Sequence, residues 1–151
     1  MKNLQKLGIL FFSLLMLTIS SCKKEEIDIR DQYVGTWNFS QNGSITLYYY
    51  GDVLGTSPLD ENGTMVIEKV GDDYLLIGGK RFRVDGDRLS ADPEPINEYG
   101  DNGVIITGTE TANGRLGSNL ITIETKVTGT WKNAYNESGN FSGKIINTLT
   151  K

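Results

Sequence analysis

Histidine is missing from all 151 residues, and cysteine occurs once, as Cys22. Without imidazole, the ordinary Ser/His and Cys/His nucleophile systems and the common zinc sites cannot be assembled. With a single thiol there is no intrachain disulfide, so a folded domain must hold together through its core. Basic residues are also sparse. Without residues 1–21, which contain Lys2 and Lys6, 13 basic side chains stand against 19 acidic ones and the formal charge is −6. That balance, with no long basic run, argues against nucleic acid as a partner, because neutralising phosphates needs clustered Lys and Arg. Beyond residue 21 no stretch keeps a helical period for about ten residues, which leaves extended structure as the reading.

What is present divides at Cys22. The chain opens with Met1-Lys2-Asn3-Leu4-Gln5-Lys6, two cations and no acid, followed by an uncharged run over residues 7–19 rich in Leu, Ile and Phe. At about 1.5 Å rise per residue that run reaches about 20 Å, short of the roughly 30 Å hydrocarbon core, so it suits a secretory signal and not a spanning helix. The sequence Ile19-Ser20-Ser21-Cys22 resembles the lipobox of bacterial lipoproteins, with Ser in place of the commoner Ala or Gly at both positions before the cysteine. The resemblance implies cleavage after Ser21, lipid on Cys22 and attachment to the outer membrane. Several acyl chains, each adding about 0.8 kcal/mol per buried methylene, anchor a soluble domain durably. The alternatives for Cys22 are an incidental thiol or half of an intermolecular disulfide. Residues 22–32 are mostly charged and read as a tether. Their Lys24-Glu25-Glu26 resembles the lysine-plus-acid signal that sends some lipoproteins to the outer face of the outer membrane, which implies display at the cell surface. The organisation expected is therefore a signal over 1–21, lipidated cysteine and tether over 22–32, and one domain over 33–151.

Within that domain apolar residues alternate. Tyr33, Gly35, Trp37 and Phe39 share one face of residues 33–40, and Asn42-Gly43 is a turn dipeptide leading into a second strand over 45–50. Residues 51–63 read as a loop. Strands are expected over 64–70, 74–77, 80–84 and, briefly, 88–90. Residues 92–103, with two prolines and four acids, read as the longest irregular loop. Another strand covers 104–111, and Asn113-Gly114 turns the chain. The clearest pattern follows: Ile121, Ile123, Thr125, Val127, Gly129 and Trp131 on one face, with Glu124, Lys126 and Lys132 on the other. A last strand spans 141–150. About eight short strands joined by tight turns predict an all-β fold, an antiparallel up-and-down meander closing into a small barrel, with a β-sandwich as the alternative.

Gly35-Thr36-Trp37 on the first strand resembles the Gly-x-Trp signature that opens lipocalins and related calycin barrels, where the Trp closes the base of the barrel. Streptavidin-like barrels begin similarly. The resemblance implies a lipocalin-like barrel with Gly35 and Trp37 in barrel-closing structural roles, to which the repeat of the motif at Gly129-Thr130-Trp131 adds Trp131. No late Arg stands in the sequence where it would clearly stack on Trp37.

No catalytic set emerges, so the chain is read as non-enzymatic. The acids at Asp72-Asp73 and Asp85-Gly86-Asp87 sit where turns favour Asp, and the second group stops short of a calcium loop, so no metal or other cofactor is expected. In Tyr48-Tyr49-Tyr50, alternation sends Tyr48 and Tyr50 to one face, a candidate contact for a ligand or partner; the competing reading is that they are ordinary strand formers. The function expected is a lipid-anchored binding module for a small apolar ligand, held to the membrane through Cys22. The alternative is an accessory lipoprotein contacting another envelope protein.

Overall fold

The structure, a computed structural model, describes residues 28–100 and 103–151. Its strands are β1 (Gly35–Tyr49), β2 (Asp52–Val70), β3 (Tyr74–Ile77), β4 (Lys80–Asp85), β5 (Arg88–Ser90), β6 (Glu94–Tyr99), β7 (Ile105–Leu116), β8 (Leu120–Lys132) and β9 (Ser138–Thr150), preceded by a 3-10 turn at Ile29–Tyr33. They form one antiparallel sheet in the order β5-β4-β3-β2-β1-β9-β8-β7-β6, closed into a barrel by β5 pairing with β7. Eight strands make the barrel, and β6 is the extra one. The all-β meander read from alternation is therefore the fold, and the sandwich alternative is not.

The strands differ greatly in length, and this shapes the molecule. β3, β4 and β5 cover only one end of the long strands, so the barrel closes fully at that end alone. There the core gathers Trp37, Ile67, Leu75, Phe82, Leu89, Ile121 and Leu149. Beyond it, residues 52–66 of β2 bond to β1 alone among the described residues, and β6 bonds only to β7. Among the described residues, the other end is therefore an open, six-stranded continuation with two free edges. Val127, Trp131, Phe141 and Ile145 are buried on the inner face of that continuation.

Several expected turns are strand. Asn42-Gly43 lies within β1, where Gly43 pairs with Leu59 and Ile145; the hairpin turns at Tyr50-Gly51 instead. Both of those residues have positive φ, 51° and 91°, which is the requirement of a two-residue turn matched to the twist of the strands. Residues 52–63, expected as loop, belong to β2. Their side chains are mostly exposed on both faces, so no apolar period marks them. Asn113-Gly114 is likewise within β7, and a strand, β6, occupies half of the expected 92–103 loop. Glycine at such sites answers crowding between strands. A Cβ on Gly129 would lie 2.6 Å from the Gly108 Cα and 2.6 Å from the Phe141 ring, so the ring of Phe141 covers bare backbone.

Residues 28–32, read as tether, are also packed. Arg30 is buried, with Nη1 donating to the carbonyl oxygens of Gly71 (2.9 Å) and Tyr74 (3.2 Å) and Nη2 pairing with Asp28 Oδ2 at 2.7 Å. A charged segment can leave water when each charge finds a fixed partner. Among the described residues, the packed part of the chain therefore includes Arg30 and its partner Asp28.

Candidate functional site

The closed end is filled by its own side chains, so room for a ligand begins where that filling stops. At this level the inward-pointing positions turn polar on several strands at once. Gln41 follows Trp37 and Phe39 on β1, Asn147 separates Ile145 from Leu149 on β9, Thr125 separates Ile123 from Val127 on β8, and Glu110 precedes Ala112 on β7. Gln41 is the registered partner of both Asn147 and Glu61. With Lys80 at the start of β4, these residues ring a cavity of about 410 Å³ whose floor is Phe82, Ile123 and Leu149 and whose side wall is Phe39, Met65 and Ile77. That volume lies in the range of small-ligand pockets, about 300–1,000 Å³.

Lys80 is the electrostatic centre of this mouth. Its Nζ lies 3.0 Å from Glu94 Oε2 and is bonded to Glu110 as well. Glu94 and Glu110 sit directly opposite each other on β6 and β7, an arrangement that repels unless a cation stands between them. Burial works to lower the Lys80 pKa, but the hydrogen bonds to Glu110 and Glu94 outweigh it and hold the pKa above the usual lysine value. The side chain stays a charged ammonium and is no nucleophile. The mouth combines an apolar floor with a ring of hydrogen-bonding groups, of which Lys80, Glu94 and Glu110 are tied to one another.

Trp37 sits at the closed end, 1 % exposed, its indole nitrogen donating to the Tyr33 carbonyl oxygen at 2.8 Å. Gly35, the first residue of β1, takes φ 121° to let the chain turn from the 3-10 segment into the strand. The cation over Trp37 is one the sequence reading did not find: Lys151 places its Nζ 5.3 Å from the ring centroid. Trp131 is at the opposite end of the long strands. There it packs 6.0 Å from Tyr49 and donates its indole N–H to the Tyr48 carbonyl oxygen at 3.2 Å. The structure thus separates the two Gly-Thr-Trp tryptophans, with Trp37 at the base and Trp131 beneath the β1–β2 turn. Tyr48 and Tyr50 both line a second hollow at the open end, Tyr50 from the turn and not from strand alternation, and the aromatic ring that Tyr50 meets is that of Tyr49. Ser21 and Cys22 lie outside the described residues. Lys80, Glu94, Glu110, Gln41 and Asn147 were not anticipated. The available signal was a polar residue in an inward position of the alternation, as at Glu110, Gln41 and Asn147.

No protein-family model matches this sequence, no curated protein matches it, and no solved structure matches the fold.

Proposed function

We propose that this protein is a non-enzymatic, lipid-anchored binding module of the cell envelope, built on a lipocalin-like barrel that holds a small ligand with an apolar body at its mouth. The observation that carries this reading is the cavity of about 410 Å³ at the level where the core ends, apolar below and polar around its rim. The apolar part of the ligand rests on Phe82, Ile123 and Leu149, and its polar end meets Gln41, Lys80 and Asn147. Lys151 over Trp37, together with the Gly35-Thr36-Trp37 start, supports the lipocalin-like comparison for the base of the barrel.

The lipobox at Ile19-Ser20-Ser21-Cys22 supports anchoring, and Lys24-Glu25-Glu26 supports display on the outer face of the outer membrane. The free edges of β2 and β6 favour a second reading, an accessory lipoprotein that contacts another envelope protein. Native mass spectrometry of the full-length protein released in detergent tests the first. A bound small molecule is expected in the wild type and not in Met65→Trp, which fills the mouth. No bound molecule in repeated isolates, or the same mass retained by Met65→Trp, would refute the carrier role. Anchoring has its own test: Cys22→Ala is expected to leave the membrane fraction, and its retention there would defeat lipidation.

A further inference from the structure

The open end of the sheet carries a second hollow, about 730 Å³, lined among others by Tyr48, Tyr50, Thr107, Lys132, Ser138 and Asn140. We infer that it is a carbohydrate-binding site, taking a short stretch of a neutral or acidic polysaccharide, distinct from the barrel mouth and independent of the ligand held there.

The first argument is Tyr50. It sits in a left-handed turn at φ 51° and is 91 % exposed, at a position that Asn or Gly occupies without strain. Nothing in the core is gained by a tyrosine there. An exposed, bulky residue held in a strained backbone is an observation from which function is reasonably inferred. The ring is also fixed in place. Tyr50 meets Tyr49 edge to face with centroids 4.5 Å apart, Tyr49 lies against Trp131, and the Trp131 indole is tied to the Tyr48 backbone. An aromatic surface set in advance loses little freedom when a ligand stacks on it.

The second argument is what surrounds the rings. Tyr48, Asn140, Thr130 and Thr107 form one straight row, each the registered partner of the next across β1, β9, β8 and β7. The Thr107 and Thr130 hydroxyls are 3.0 Å apart. Among the described residues, Lys132 is the one charged residue of the lining, and no carboxylate belongs to it. Hydroxyls and amides suit a ligand dense in hydroxyl groups, and aromatic rings suit the C–H faces of a sugar ring. A hydrocarbon chain would leave that polar row unpaired, and a polyanionic nucleic acid would need more than one cation. Lys132 allows the sugar to be acidic.

The third argument is direction. The 3-10 turn that follows the tether lies at the closed end, and β1 runs fifteen residues from there to the hollow, about 50 Å at the usual strand rise. The hollow therefore lies at the end far from Asp28, the first described residue, which on the lipid-anchored reading proposed above is the end away from the membrane.

The full-length protein, solubilised in a non-glycosidic detergent, is run in affinity gels containing in turn soluble starch, mannan, arabinogalactan, polygalacturonate and chondroitin sulfate. Retardation by at least one polysaccharide is expected. Tyr48→Ala and Tyr50→Asn should weaken it by about tenfold or more, the usual effect of losing a central aromatic contact. Lys126→Ala, on the same outer face but away from the hollow, should migrate as wild type. Tyr50→Asn relieves the turn, so its folding is not in question. Unchanged migration in all five gels overturns the inference, and so does retardation that survives both tyrosine substitutions. Capture of an envelope protein, lost in the same variants while the gels show nothing, would replace the sugar by a protein partner.

Discussion

Replacing Trp37 by Phe isolates what the base of the barrel contributes, because Phe keeps the aromatic ring and removes the indole N–H and its five-membered ring. Two effects add. The buried Tyr33 carbonyl loses its 2.8 Å donor, and an unsatisfied buried acceptor costs about 1–3 kcal/mol. The side chain also gives up two carbons of buried ring, at about 0.8 kcal/mol each. The expected loss is about 3 kcal/mol, a large share of the roughly 5–15 kcal/mol total typical of a domain. Lys151→Ala is the comparison: it removes the exposed cation over the same ring, worth about 0.5–1 kcal/mol, together with the 2.9 Å hydrogen bond that its Nζ donates to the Gln32 carbonyl oxygen. Guanidinium unfolding of the purified protein, followed by far-ultraviolet circular dichroism, measures both. Trp37→Phe should lower the midpoint with an unchanged slope, which separates lost stability from a changed unfolded state. A loss below about 1 kcal/mol, or one no larger than that of Lys151→Ala, would show that Trp37 fills space at the base without fastening the 3-10 turn to it.

Two further outcomes follow from contacts already described. Gly129→Ala places a methyl group 2.6 Å from the Phe141 ring and from the Gly108 backbone, so it should cost about 1–3 kcal/mol by overpacking. Adding Phe141→Leu should return part of that in a thermal melt, and no return would mean the clash is with backbone alone. Asp28 is held well below the usual carboxylate pKa of 3.8 chiefly by its hydrogen bonds to the Arg30 side chain and backbone. A depressed folded-state pKa contributes stability that is fully present above the unfolded value and is lost as pH falls toward the folded one. The stability difference between wild type and Asp28→Asn should therefore be constant above about pH 5 and shrink below about pH 4. A difference that persists unchanged to pH 2 would remove the ion pair as its cause.

The half of the fold that encloses a core was legible in the sequence, and the half that does not was not. β8 shows its period from Ile121 to Trp131 because one face is buried along most of its length. The outer part of β2 has solvent on both sides, so selection for apolar residues on one face is absent and residues 52–63 read as loop. The two Asn-Gly pairs misled for a related reason. Turn chemistry and close approach of strands both call for glycine, and Gly43 and Gly114 serve the second purpose, against Ile145 and Ile123. The barrel mouth was hidden because its members come from strands far apart in sequence. Lys80, Glu94 and Glu110 are each unremarkable alone, and only the closing of β7 along β5 and β6 brings the two acids to the lysine. Tyr50 was read as strand because the turn that holds it was expected eight residues earlier, at Asn42-Gly43.

Most neighbouring strands in this sheet are also neighbours in sequence, joined by short hairpins that can form as soon as both arms exist. The contact between β1 and β9 is different: it runs over eleven registered pairs, from Asn38 with Thr150 to Tyr48 with Asn140. The domain's opening strand thus waits for its final one. A polypeptide that emerges in sequence order cannot zip this seam until β9 is available, so the long β1–β2 ribbon stays with one flank bare until then.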